Sequence, residues 1–359
     1  MRVLFGFAGG SGHFNPLVPI AAALIDAGHT VAFAPSPSLV DRVRQAGFVA
    51  VPAGPPYGMT EPGPLLGPDL QAEERGVREY FAGSLARARA DDLATICADW
   101  KPDVIVGDEM DFGALLAGER AGIPCARVLV LATGFLSRDE LVRPALDRLG
   151  LPARDRLVLS PFPPSLRDPA VPLPPNTHTI RWTDPAPSGE PVPASIYVTL
   201  GTIFSLEAGD LFARLLAGLQ QLDESVLLTV GPYVDPATLG PLPPHVRVAR
   251  YVPQHLVIPG CDLVVSNGGS GSVLGALSRG KPLVLVPMGA DQPNNAERCQ
   301  ALGAAEVLDV LTATPQDIAA TARRVRESFT YRRAAERLRD EIAALPAPAS
   351  AVPLLEALA

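Results

Sequence analysis

Short apolar runs separated by helix-length stretches dominate this sequence, and they come in two series. The first comprises "RVLFGF", "TVAFAP", "FVAVPA", "DVIVGD" and "CARVLVL" between residues 2 and 131; the second comprises "SIYVTLG", "SVLLTVG", "VRVARYV", "CDLVVSN" and "KPLVLVP" between residues 195 and 287. Runs this short and this rich in Val, Ile, Leu and Phe are strands buried on both faces. Alternating with helical stretches such as "PLVPIAAALIDAG" and "FGALLAGERAG", they build parallel sheets. The expected fold class is α/β, with two doubly wound Rossmann-like domains facing each other across a ligand cleft. A length of 359 residues allows two such cores. Between the series, "PFPPSLRDPAVPLPPNTHTIRWTDPAPSGEPVP" is too proline-dense for a regular core element throughout. These signals predict an N-terminal domain over 1–175, a linker over 176–194 and a C-terminal domain over 195–345. They leave a tail over 346–359 whose short apolar helix can pack back on the first domain.

A formal net charge of -8 and the lack of a Lys/Arg stripe set nucleic acid aside as a partner. The cluster "YRRAAERLRDE" mixes both signs and reads as a solvated helix face. No apolar run reaches the ~18 residues that span a bilayer, and Met1 and Arg2 lead straight into a strand rather than a signal peptide. Stable membrane insertion is not expected, and the expected location is cytoplasmic. Cys97, Cys125, Cys261 and Cys299 are far apart with no CxxC pair, and read as buried thiols of a reducing compartment.

Two glycine-rich loops carry the chemistry. The first strand runs into "GGSGHFNP", a turn ahead of a helix, where a phosphate often sits. The dinucleotide fingerprint nevertheless fails twice: its third glycine position is Asn15, and the second strand ends "VAFAPSPS" with no acid for a ribose. A nicotinamide enzyme is thereby disfavoured. What the turn offers is His13, either an incidental loop histidine or a base presented at the strand's end. The second loop, "CDLVVSNGGSGSVLGALSRGKP", takes an apolar strand through Ser266 and Asn267 into a Gly/Ser turn and a helix. Glycines there admit close backbone approach, and the serine hydroxyls and first helical N–H groups can donate to a diphosphate. Without the G-K-[ST] ending of a P-loop, it does not point to a kinase or ATPase. Beyond the next strand, "VPMGADQPNNAERC" sets Asp291 beside Gln292, an acid and an amide suited to sugar hydroxyls, with a helix N-cap as the other reading of Asp291.

In this order the motifs resemble the GT-B glycosyltransferases, the nucleotide-sugar-dependent family that includes macrolide and other antibiotic enzymes and the plant secondary-product enzymes. "GSGHFNPLVPIAAALIDAGHTVAFAP" looks like that family's N-terminal signature. "IYVTLGT" and "RYVPQHLVIPGCDLVVSNGGSGSVLGALSRGKPLVLVPMGADQPNNAERC" look like its donor-binding signature, so the resemblance spans both domains. It implies an inverting, metal-independent transfer of a sugar from a TDP- or UDP-linked donor to a small, largely apolar acceptor such as a natural-product aglycone. The nucleotide sugar is a co-substrate, and no bound cofactor is implied. His13 matches the family's catalytic base, and Asp108 matches the carboxylate that orients it and steadies the imidazolium. Asp111, three residues on, is the alternative, while Glu109 should point to the opposite side. Gly201 and Thr202 match the turn along the diphosphate and nucleoside. Residues 251–254 match the pyrimidine rest, with Val252 and Gln254 offering backbone contacts. Gly269, Ser270, Gly271 and Ser272 match the pyrophosphate turn, and Asp291 and Gln292 match the pair that reads the sugar.

One departure stands out. Where many bacterial members carry two histidines before the glycine pair, this chain has Ser266 and Asn267. The Asn267 amide can donate to a diphosphate but cannot become cationic as it leaves. Two other readings share the fold. A non-catalytic auxiliary of another transferase should lack the base and the donor block, whereas only the histidine pair is missing here. A lipid-linked sugar transferase of cell-wall assembly should carry a basic amphipathic helix for the membrane, and none is found. The expected partners are the nucleotide sugar and a small-molecule acceptor, with a homodimer left open.

Overall fold

The computed structural model describes residues 1–57, 63–151, 157–183, 189–201 and 204–359, which form two compact units, each built on a parallel sheet. The first sheet contains β1 (Arg2–Gly6), β2 (Thr30–Ala34), β3 (Val49–Ala50), β4 (Val104–Asp108), β5 (Cys125–Val128), β6 (Leu157–Ser160) and β7 (Thr177–Thr179) in the order β3-β2-β1-β4-β5-β6-β7. The second contains β8 (Ile196–Thr199), β9 (Val226–Thr229), β10 (Val246–Ala249), β11 (Leu263–Ser266), β12 (Leu283–Leu285) and β13 (Ala305–Val307) in the order β10-β9-β8-β11-β12-β13. In each, the chain adds strands outward on one side of its first strand, then returns to the other side. The strand order therefore reverses between β1 and β4, and again between β8 and β11. Loops leaving the carboxyl ends of such neighbours diverge to opposite faces, and the crevice between them is where ligands bind in folds of this kind.

Alternation along the strands builds a core on both faces. Val3 and Phe5 join Leu17, Ile20 and Leu24 on one side of the first sheet, while Leu4 and Ile105 join Leu93, Ala114 and Ala117 on the other. In the second unit, Ile196, Val198, Leu263 and Val265 pack with Leu211, Phe212 and Leu215 of the helix Leu211–Leu219 and with Ile318 and Val325 of the helix Pro315–Glu327. Thr314 and Asp317 close a capping box at the start of that helix.

The units interleave along the chain. Residues 177–179, placed in the linker by composition, form β7 and pair with β6 at the sheet edge. The reason is local: residues 176–183 contain no proline, so the N–H groups needed for a ladder are present. Residues 63–69 of the N-terminal half belong to the second unit, where Gly63 N–H donates to the Leu206 carbonyl at 3.1 Å. Leu65 packs there against the core, and its side chain lies where a Cβ on Gly209 would be. Residues 345–359 belong to the first unit, where Ala351, Val352 and Leu355 of the helix Ala351–Glu356 enter the core around Leu24. Among the described residues, no helix is long and apolar enough to cross a membrane.

Candidate active site

The first constellation spans the reversal between β1 and β4. After β1 the glycine-rich turn leads into the one-turn helix Ser11–Phe14, which is anchored by Phe14 against Phe7 and Phe33 with ring centroids 5.5 and 5.3 Å apart. The next-door His13 places Nδ1 3.0 Å from Oδ2 of Asp108, the last residue of β4. Asp108 is fully buried, and its oxygens also accept the backbone N–H groups of Ala8 (2.9 Å), Met110 (2.6 Å) and Asp111 (2.8 Å). A carboxylate accepting at both oxygens makes Nδ1 the donor, so the lone pair of the neutral imidazole falls on Nε2. Gly9 makes room for the ring: a Cβ there would lie 2.2 Å from His13 Cδ2 and 2.6 Å from Nε2.

The neighbouring acids are engaged elsewhere. Asp111 caps the helix Phe112–Ala121 by accepting Ala114 N–H, and both its oxygens face Arg89, with Nε to Oδ1 at 2.8 Å and Nη2 to Oδ2 at 2.5 Å. Arg89 lies on the helix Ala86–Trp100, is fully buried, and donates further to the carbonyls of Ala53 (2.7 Å) and Ala34 (2.9 Å). Burial works against the guanidinium's charge, but Asp111 outweighs it, and the pKa is raised. Glu109 turns away from His13 to accept the N–H groups of Val130 and Leu131 and the hydroxyl of Ser137, each at 2.5 Å. Geometry thus brings Asp108 rather than Asp111 to the imidazole.

The second constellation spans the reversal between β8 and β11. Just past β11, Asn267 donates from Nδ2 to the Leu200 carbonyl (2.9 Å), and its Oδ1 accepts Gly269 N–H (3.3 Å). Gly201, at φ +73°, lies against that amide, where a Cβ would come within 3.3 Å of Nδ2. The side chain that the sequence offers to a diphosphate therefore commits its oxygen and one N–H to the protein itself. Ser266 is likewise engaged, accepting Gly268 N–H at 3.2 Å. Next, the helix Ser270–Leu277 begins with Gly269 as its N-cap, and Ser272 and Val273 N–H turn back to the Gly269 carbonyl. Gly271 N–H makes no bond among the described residues. This is the donor-rich, positive end of a helix.

Behind the turn, Ser270 donates to Asp291 Oδ2 at 2.5 Å. Asn295 ties the group together: its Nδ2 lies 2.9 Å from the Gly268 carbonyl, 3.1 Å from Ser270 Oγ and 2.8 Å from Asp291 Oδ2. Gln292 accepts the N–H groups of Met288 (2.8 Å) and Gly289 (3.3 Å) at Oε1, which fixes the carboxamide and leaves its nitrogen without a bond among the described residues. Gln254 donates from its side chain to the Gly271 carbonyl at 3.3 Å, beside a half-buried Val252 and an exposed Tyr251. Thr202 lies outside the described residues. Arg89 and Asn295 are the participants that sequence reasoning did not single out. For Asn295 a signal existed, since it stands four residues after Asp291 on a helix and so shares its face.

The architecture has counterparts among solved glycosyltransferases. The structure of SnogD from Streptomyces nogalater matches with a TM-score of 0.78 and 27% identity, covering 100% of this chain and 99% of that one. The class so defined is that of the GT-B fold glycosyltransferases, α/β enzymes built of two Rossmann-like domains. Within it, the chain belongs to the erythromycin biosynthesis protein CIII-like family, whose N-terminal domain matches residues 22–154 and whose C-terminal domain matches residues 213–358. It is similar to 4'-demethylrebeccamycin synthase of Lentzea aerocolonigenes, at 30% identity over 99% of both chains. It is also similar to TDP-daunosamine transferase DnrS of Streptomyces peucetius, at 28% identity over 100% of this chain and 96% of that protein. The chain is therefore a glycosyltransferase.

Proposed function

We propose that this glycosyltransferase moves a sugar from a thymidine or uridine diphosphate donor to a small, largely apolar natural-product aglycone, with inversion at the anomeric carbon and no metal step. The observation that carries the reading is the His13 Nδ1 to Asp108 bond at the first sheet's reversal point. With Nδ1–H held by the carboxylate, Nε2 takes the proton from the acceptor's nucleophile as that atom bonds to the anomeric carbon. The bond from that carbon to the diphosphate breaks, and its electron pair leaves with the phosphate. Asp108 steadies the imidazolium that results.

On the donor side, the Gly269–Ser272 turn and the helix N-terminus behind it oppose the diphosphate charge. The Gln292 nitrogen and the Asp291 carboxylate read the sugar, while residues 251–254 carry the base. The name of the Streptomyces peucetius relative, a TDP-daunosamine transferase, makes TDP the first nucleotide to test. TDP at about 100 times its dissociation constant should stabilise the protein by about 2.7 kcal/mol, visible as a raised melting temperature. His13→Ala should keep that response and lose at least about 10²-fold in turnover. Unchanged turnover would remove His13 from the mechanism, and no response to TDP or UDP would remove the donor assignment.

A further inference from the structure

Next to the catalytic pair lies a second ionic pair that the proposed reaction does not use. Asp108 and Asp111 are both fully buried, and Asp111 N–H is shared between Asp108 Oδ1 at 2.8 Å and the Asp108 carbonyl at 3.1 Å. Two carboxylates on one turn and shielded from water repel, and without a counter-charge such a pair ordinarily retains one proton. Here Arg89 meets Asp111 with two parallel bonds and is itself enclosed by glycines from three segments. A Cβ on Gly6 would come within 2.5 Å of Asp111 Oδ2, one on Gly54 within 2.5 Å of Arg89 Cγ, and one on Gly113 within 2.6 Å of Arg89 Cβ. The glycines make room for the stem of Arg89 and for the carboxylate it meets.

We propose that Arg89 is a positioning residue for the reaction: it is the buried counter-charge that engages Asp111 through both oxygens and so leaves Asp108 to serve His13. This rests on the reading of His13 and Asp108 as base and orienting acid. The other titratable groups around the pair do not replace Arg89. Asp92, on the same helix, accepts Gly54 N–H at 2.7 Å and adds negative charge. Tyr57, after β3, is kept a neutral phenol, pushed up to about 12 by burial and then by Tyr80 and Asp108. Glu109 faces the Val130 and Leu131 amides instead. A lysine could supply charge but not the fork.

The test compares Arg89→Met with Arg89→Met/Asp111→Asn in the full chain, by kcat/KM against pH and by nitrogen-15 NMR of the His13 imidazole. The single variant should lose about 10²-fold at pH 7 and recover as pH rises and the extra proton leaves. Its imidazole should titrate at lower pH than in the wild type, because the neighbouring anion is neutralised. The double variant removes the second carboxylate with the counter-charge, and should return both the His13 titration and kcat/KM to within about tenfold of the wild type. Equal loss in both variants at every pH, with an unmoved imidazole titration, would reduce Arg89 to packing and overturn the proposal. So would wild-type activity in the single variant. Should Arg89→Met fail to fold, Arg89→Lys takes its place: near-wild-type activity at pH 7 supports the counter-charge, and a pH-independent loss overturns it. Full activity in His13→Ala alongside the expected NMR pattern would refute the base assignment alone.

Discussion

Gly9→Ala probes the active site without touching a polar group. The new Cβ would stand 2.2 Å from His13 Cδ2, where carbon atoms ordinarily approach no closer than about 3.5 Å. Relief of the clash requires a shift of about 1.3 Å, the difference between those two distances. The ring cannot move so far and keep Nδ1 at 3.0 Å from Asp108 Oδ2 with good alignment. A misplacement of about 1 Å in a catalytic group is worth about 10²-fold in rate, so kcat should fall by about 10² to 10³-fold. Alanine at φ +153° adds a backbone cost of about 1–3 kcal/mol, which should appear as a lowered melting temperature. TDP affinity should not change, because the turn assigned to the nucleotide lies in the other unit. The assay is initial-rate kinetics with a TDP-sugar and an aglycone, beside calorimetry with TDP. A folded Gly9→Ala protein with kcat within threefold of the wild type would refute the reasoning, since His13 would then act from a position other than the one described.

Gln292→Glu keeps an acceptor for Met288 and Gly289 N–H but loses the donor. One lost hydrogen bond of about 1–1.5 kcal/mol should raise KM for the sugar nucleotide about tenfold while leaving TDP affinity within threefold, as kinetics and calorimetry would show. Asn295→Ala removes the amide's bonds to the Gly268 carbonyl, Ser270 and Asp291 together, and should cost about 1–3 kcal/mol in urea unfolding. Burial pushes Cys261 and Cys299 up to about 12 from 9.0, so between those values the folded state holds protons that the unfolded state releases. Stability should hold below about pH 9 and then fall by up to about 1.4 kcal/mol per pH unit for each thiol. Urea midpoints at pH 8 and 10.5 should show a shallower fall in Cys261→Ala/Cys299→Ala, and identical slopes would count against the assignment.

The strand and helix rhythm made ten of the thirteen strands legible in the sequence, because buried parallel strands are short apolar runs; β6, β7 and β13 were not read. The loop alone left His13 open between an incidental histidine and a base; the resemblance paired it with Asp108, and the two do lie within hydrogen-bond distance. Arg89 was not legible, since "ARARADDL" reads as a solvated helix and nothing local marks the cavity left by Gly6, Gly54 and Gly113. Those glycines come from distant segments, and only the fold brings them together. Asn267 was read as a donor-side residue, and its role as a strut was not legible, because its Leu200 partner lies 67 residues away. β7 was hidden by its proline-rich surroundings, whose composition describes the neighbours of residues 177–179 rather than the strand itself.

The weaving of the chain between its units also bears on how such enzymes can be recombined. Two series of strands on either side of residue 194 invite a single cut there, joining one enzyme's first half to another's second half. In this chain that junction would separate Leu65 from the Gly209 surface it covers, and the helix Ala351–Glu356 from the core it completes. A working chimera needs four crossovers, so that residues 63–69 travel with the second sheet and residues 345–359 with the first. Modularity here belongs to the folded units and not to the reading frame.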